Sequence, residues 1–258
     1  MTGVVTAAPA VGPAQAPGAA EADLSGRGAE RPGHAAGPDP PVWHRLYDRL
    51  VDTGSATSVS SAFRAHRWQL LLDRFPDLAS RTVLDLGGTV AGWSAAPVTP
   101  DRLTIVNAEP LAEAVPDHVE VVLGDACALD RSITDRSWDL VFTNSVIEHV
   151  GGHDRRAAFA ESVLALSPHH WVQTPNRWFP VEPHFLVPGL QFLPTRARAR
   201  IIAAWPLNRW RPADDRAAME AALDLELIGR AELAHYFPGS TILEERLGPL
   251  TKSLVAVA

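Results

Sequence analysis

The spacing of apolar residues along the chain changes several times, and each change marks an element. Between residues 60 and 75, Phe63, Leu70, Leu71 and Phe75 recur at helical spacing until Pro76 stops the pattern. The run from Val42 to Val51 has the same spacing and predicts an earlier helix. Short, nearly continuous apolar runs follow at 82–86, 103–106, 119–123, 138–142 and 171–173, and these read as buried strands. A helix is predicted over 154–166, and a short one follows the first strand, cut off by Pro97 and Pro100. Strands alternating with helices imply a parallel sheet with crossover connections. At the end, residues 241–246 and 252–258 alternate as strands around Gly248-Pro249, a pair of strands that closes the sheet.

Two regions break this rhythm. Residues 1–40 are rich in Ala, Pro and Gly and carry few large apolar side chains. Such a segment cannot bury enough surface to offset its ordering entropy, so a disordered tail is expected before a domain spanning 41–258. Residues 176–228 are rich in Pro, Trp and Arg and read as an insertion with its own helices.

Composition narrows the classes. The chain has 258 residues, 46% hydrophobic, enough for one domain with a substantial core. A single cysteine, Cys127, excludes an intrachain disulfide and a multi-cysteine zinc site, which suits a reducing, cytoplasmic setting. Cys127 itself reads as a small buried hydrophobe. The formal charge of −7 argues against nucleic acid held by bulk charge. No run of eighteen apolar residues predicts a membrane span, and no basic segment precedes an apolar one as in a signal peptide.

The candidate chemistry starts at Asp85-Leu86-Gly87-Gly88-Thr89, a buried strand ending in two glycines. Glycines there let backbone approach a ligand or a neighbouring element where a Cβ would collide. The nicotinamide-dinucleotide fingerprint requires glycine at the second position after Gly87, where this chain has Thr89, so that pattern fails. Further landmarks follow in order: Ile105-Val106-Asn107-Ala108-Glu109, Leu123-Gly124-Asp125-Ala126, the segment from Trp138 through Asn144 to Glu148-His149, and Asn176-Arg177-Trp178-Phe179-Pro180-Val181-Glu182-Pro183-His184-Phe185. In this order they resemble a class I S-adenosylmethionine-dependent methyltransferase. The last segment is similar to a bacterial small-molecule branch of type 11/23 character. The resemblance covers residues 41–258.

The resemblance implies an α/β, Rossmann-like, mostly parallel seven-stranded sheet with an antiparallel C-terminal strand, and a helical lid at 176–228. It implies S-adenosylmethionine as cofactor and a small-molecule acceptor, with no oligomeric state specified. Gly87 and Gly88 would approach the amino-acid part of the cofactor, with Asp85 beside them. Either Asn107 or Glu109 would meet the ribose, Asp125 and Ala126 the adenine, and Asn144 would lie at the same edge. Glu148, Asn176, Arg177 and Phe179 would face the acceptor.

Methyl transfer from a sulfonium has a neutral leaving group, so proximity and alignment supply most of the catalysis. An oxygen or nitrogen nucleophile also has a proton to lose, and histidine suits that near neutral pH. His149 and His184 are the catalytic candidates; for each, a hydrogen-bonded histidine fixing a loop is the structural alternative. Glu148-His149 with His153-Asp154 fits no metal-ligand spacing, and no metal is expected. Two other functions are kept open: a catalytically silent methyltransferase-like binding protein and a nicotinamide oxidoreductase.

Overall fold

The computed structural model describes residues 59–205 and 212–258. The expected tail over 1–40 and the helix over 42–51 lie outside the described residues. Helix α1 (Val59–Arg74) leads by a 3-10 turn (Leu78–Ser80) into β1 (Thr82–Leu86). There follow α2 (Val90–Ser94), β2 (Arg102–Asn107), β3 (Val119–Leu123), α3 (Arg131–Thr134), β4 (Leu140–Asn144), α4 (His153–Leu166) and β5 (His170–Pro175). The insertion holds a two-stranded hairpin, β6 (Val181–Glu182) and β7 (Val187–Pro188), a 3-10 turn (Leu190–Phe192), and helices α5 (Thr195–Ala204) and α6 (Asp215–Asp224). Helix α7 (Arg230–Tyr236) and strands β8 (Thr241–Leu247) and β9 (Leu250–Val257) end the chain.

The main sheet has seven strands in the order β3-β2-β1-β4-β5-β9-β8. β1 to β5 pair in parallel, and β9 alone runs against its neighbours, between β5 and β8. This is the Rossmann-like, mostly parallel sheet with an antiparallel C-terminal strand. No helix among the described residues is long and apolar enough to cross a membrane.

Strand alternation sorts the core into two layers. Leu84, Leu86, Val141, Val172, Leu254 and Ala256 face one side, where Phe159 and Val163 of α4 and Leu233 of α7 cover them. Val83, Leu140, Phe142, Trp171, Val255 and Val257 face the other, against Leu71 of α1, Phe75 just past its end and Trp93 of α2. A sheet covered on both faces explains the near-continuous apolar runs of its strands. The insertion has a separate core, in which Phe185, Leu190, Ile202, Ala222, Leu225 and Leu227 are buried.

One boundary moves. The run at 138–142 predicted a strand from Trp138, but β4 begins at Leu140, paired with Val83. Trp138 lies just before the strand, where its indole N–H donates to the Ile133 carbonyl at 3.2 Å. Asp139 accepts from the Thr82 backbone N–H at 2.8 Å, tying the starts of β1 and β4 together. Both residues do end-of-strand work that apolar patterning does not separate from the strand itself.

The order also marks the edge at which a sheet of this kind offers a crevice. The chain leaves β1 toward β2 on one side, then returns to place β4 on the other. The ends of β1 and β4 therefore diverge at a topological switch point, where open α/β sheets take their ligands.

Candidate functional site

The glycine turn after β1 is built from backbone because side chains already fill the space around it. Gly87 has φ +80, and a Cβ there would lie 2.6 Å from Val146 Cγ2. A Cβ on Gly88 would fall 1.7 Å from Asp85 Oδ2. Asp85 alternates to the α1-covered face with Val83, and its Oδ2 accepts from the Trp93 indole N–H at 2.6 Å. Trp93 packs in turn on Trp68 and Phe142, with ring centroids 5.1 Å from each. Asp85 Oδ1 is buried without a hydrogen-bond partner. Burial pushes the carboxyl up to about 7, against the pull of the indole bond. Asp85 thus supports the turn from below, bonded to an indole.

Thr89, where the dinucleotide pattern wants glycine, caps α2. Its hydroxyl accepts from the Gly92 N–H at 3.1 Å. Asn107, at the end of β2, donates to the Gly88 carbonyl at 3.0 Å and accepts from the Glu109 N–H at 3.1 Å. Its amide is engaged at both ends and holds the turn, which leaves the Glu109 carboxylate as the freer acidic group at this strand end.

After β3, Asp125 Oδ1 accepts from the Cys127 N–H at 2.9 Å, and Arg155 of α4 reaches both carboxylate oxygens at 2.9 and 3.0 Å. Ala126 and Cys127 pack beside the core. Burial raises the Cys127 thiol to about 11, so it carries no thiolate near neutral pH.

The β4 and β5 ends differ in kind. Asn144 closes β4 and accepts from Arg67 of α1, whose guanidinium also pairs with buried Glu245 of β8 at 2.8 Å. Ser145 then takes a left-handed φ of 59, and its hydroxyl donates to the Gln173 side-chain oxygen at 3.0 Å. This strained step turns the chain off the sheet edge into Glu148 and His149. Glu148 is fully buried; one oxygen accepts from the Thr174 hydroxyl at 2.9 Å, while Oε1 has no partner. Desolvation raises its pKa against the opposing pull of His184.

His149 Nε2 lies 3.2 Å from His184 Nε2, with the rings nearly perpendicular. Residues between Glu182 and Phe185 form a turn around one carboxylate. Glu182 Oε1 accepts from the His184 N–H at 3.1 Å and meets His184 Nδ1 at 2.6 Å, while Oε2 accepts from the Phe185 N–H at 2.7 Å. Desolvation lowers the His184 pKa, but the Glu182 hydrogen bond, the Glu182 charge and Glu148 outweigh it and leave the ring above its usual value. Desolvation, and then His184, bring His149 down to about 4.

The other expected acceptor groups are tied elsewhere. Asn176 is buried and donates to the Thr251 carbonyl at 2.9 Å. Arg177 donates to the Leu227 carbonyl at 2.7 Å and pairs with Glu232 at 3.1 Å, so its guanidinium anchors the insertion to α7. Phe179 is partly exposed, and its carbonyl accepts from Gln191 at 2.6 Å. His153 meets the Tyr236 hydroxyl at 2.9 Å and stays apart from Glu148 and His149. Sequence reasoning missed Glu182, Thr174 and Arg67. The first had a signal, since Glu182-Pro183-His184 places a carboxylate two residues before a histidine; the other two act across distances that no spacing reveals.

No protein family matches the chain by sequence, and no curated protein does. Among solved structures, it is similar to the small RNA methyltransferase HEN1, at 15% identity and a TM-score of 0.46, over 89% of this chain and 26% of that one. It is also similar to the N-methyltransferase NodS from Bradyrhizobium japonicum WM9, at 12% identity and a TM-score of 0.44, over 80% of this chain and 97% of that one. A third is the magnesium protoporphyrin IX methyltransferase ChlM from Synechocystis PCC 6803 with bound SAH, at 15% identity and a TM-score of 0.42, over 83% of this chain and 92% of that one. The chain spans about a quarter of the length of HEN1 and nearly all of the other two.

Proposed function

We propose that the chain is an S-adenosylmethionine-dependent methyltransferase acting on a small molecule, of the bacterial branch that its Asn176–Phe185 segment resembles. The observation that carries this reading is the contact between two parts of one edge. Gly87, in the backbone-built turn, packs on Val146, and Val146 belongs to the loop that delivers Glu148 and His149. A donor seated on the turn would therefore lie next to the loop that carries Glu148 and His149, which supports alignment for an in-line displacement.

The residues fit such a donor. The turn has no room for a Cβ at Gly88, so a ligand there meets main chain. Acidic groups stand at three consecutive strand ends: Asp85 beneath the turn, Glu109 after β2 and Asp125 after β3. Glu109 suits a ribose diol. Asp125 keeps one oxygen lone pair beyond its bonds to Arg155 and Cys127, enough to accept from an adenine amino group. When bound, the cofactor supplies an electrophilic methyl group. The chain orients the acceptor, and its reacting atom faces His149 and His184. The formal charge of −7 favours a small acceptor over a polyanion. The insertion, stiffened by its own core and by Arg177, supplies the wall on the acceptor side. A cytoplasmic location accords with the single cysteine.

Calorimetric titration of the full chain with S-adenosylmethionine, S-adenosylhomocysteine and NADH tests the reading. Micromolar binding of the two sulfur compounds without heat from NADH is expected. Heat from NADH alone, or from none of the three, overturns it.

A further inference from the structure

Glu148, His149 and His184 each bring one ligand atom to a common place, all within 4.8 Å of one another. Hydrogen bonding inside the group leaves two features unexplained. Glu148 is fully buried, and its Oε1 has no partner. A bare carboxylate oxygen in the interior is costly unless something positive meets it. The second feature is the direction of the rings. Glu182 takes the Nδ1 side of His184 at 2.6 Å, so the ring proton sits there and the Nε2 lone pair points at His149. A buried carboxylate behind a histidine, fixing its tautomer and aiming the opposite nitrogen outward, is the arrangement that supports metal-bound imidazoles.

The spacing agrees. Two metal–nitrogen bonds of about 2.1 Å, opened by roughly 100°, put their nitrogens near the 3.2 Å that separates the two Nε2 atoms. We propose that Glu148, His149 and His184 bind a divalent first-row transition-metal ion, with Glu182 as the residue that positions His184. Two imidazoles and one carboxylate suit Zn²⁺, Mn²⁺, Fe²⁺ or Co²⁺ better than Mg²⁺ or Ca²⁺, which favour all-oxygen sites. Both rings reach the surface while the carboxylate is buried, so the remaining coordination positions open outward. On the methyl-transfer reading, those positions would take an acceptor hydroxyl; the ion would lower its pKa so that its proton passes to solvent water, and the oxygen would take the methyl group as S-adenosylhomocysteine leaves. Ion binding itself does not depend on that reading.

The site was hidden in the sequence because its third member comes 35 residues after His149, from beyond the next strand. The nearer His153 turns away to Tyr236.

The test uses the full chain, stripped with a chelator and without any methyl donor. CoCl2 is followed by visible absorption, and ZnCl2 and MnCl2 by calorimetry. One ion per chain is expected, at micromolar Kd or tighter for at least one metal, with cobalt bands of a nitrogen–oxygen site. His149→Gln and His184→Gln should each weaken binding at least about 100-fold, and Glu182→Gln about 10- to 100-fold. His153→Gln should bind as the unaltered protein does. His149 is at the surface, so its variant stays informative if a change at buried Glu148 prevents folding, and circular dichroism checks each variant. Absence of binding, or affinity in His149→Gln and His184→Gln as high as in the unaltered chain, overturns the proposal. Because no cofactor is present, failure here is separate from failure of the S-adenosylmethionine titration.

Discussion

The two halves of the candidate site sit on one sheet edge but are made of different material. At the end of β1 the surface is main chain, and the side chains lie beneath: Asp85 under Gly88, Trp93 under Asp85, then Trp68 and Phe142. At the ends of β4 and β5 the surface is side chain, with two imidazoles in front of two buried carboxylates. The first half holds a shape and cannot change charge without disturbing the core. The second holds lone pairs and can meet a proton or a cation. Substitutions should therefore separate binding and stability at the first half from turnover at the second.

Gly88→Ala should have the largest effect. Its Cβ would sit 1.7 Å from Asp85 Oδ2, which is buried and held by Trp93. Displacing that carboxylate should cost about 2–4 kcal/mol, read from urea midpoints. Gly88→Ala combined with Asp85→Ala should recover part of the loss, because the second change removes the group in the way. A purely additive double variant would show that the contact is not what makes glycine necessary.

Asp85 also makes the first half sensitive to pH. Burial holds its folded pKa near 7, against an ordinary value of 3.8. Between those values the folded chain keeps a proton that the unfolded chain has released. The stability this group contributes is complete below about pH 4 and is lost as the pH rises toward 7, on the order of 3–4 kcal/mol. Asp85→Asn keeps an acceptor for the indole and removes the titration. Urea midpoints at pH 5 and pH 8 should converge in the variant relative to the unaltered chain. An unchanged pH dependence would assign it to other groups.

How much of this was legible differs between the halves. The first half is local in sequence. Asp85, Gly87, Gly88 and Trp93 span nine positions, and a buried strand ending in glycines announces itself by composition alone. The five parallel strands were legible for the same reason, since each short apolar run is one buried strand. The second half is assembled at long range. Glu148-His149 and the Glu182–His184 turn were each visible, but nothing in their spacing says that they touch. The resemblance implied that Arg177 faces the acceptor, yet its donors go to Leu227 and Glu232, 50 residues or more away. The Arg67–Glu245 pair spans 178 residues and has no periodic trace at all.

His184→Ala sharpens the comparison from the second half. It removes a group that, on the proposed reading, faces the acceptor, and leaves the glycine turn alone. Turnover should fall by about 10²- to 10³-fold, with the Kd for S-adenosylmethionine within about twofold of normal. Rapid-quench turnover and calorimetry on the same preparation check both numbers. A parallel loss of cofactor affinity would mean that the two halves are not separable.

Asp125→Ala should have the smallest effect, because Asp125 is only partly available. Its carboxylate already serves Arg155 and the Cys127 amide, and it lies half-exposed. One more bond, to an adenine amino group, would be a neutral donor meeting a shared, solvent-screened acceptor. That is worth about 1 kcal/mol, so the Kd for S-adenosylmethionine should rise about five- to tenfold and turnover at saturation should stay unchanged. Arg155→Ala separates the carboxylate's two duties. It frees both oxygens for the ligand, so if Asp125 reads adenine, affinity should hold or improve. If Asp125 serves only to brace the β3 loop, both variants should weaken binding together, through the same loosened loop.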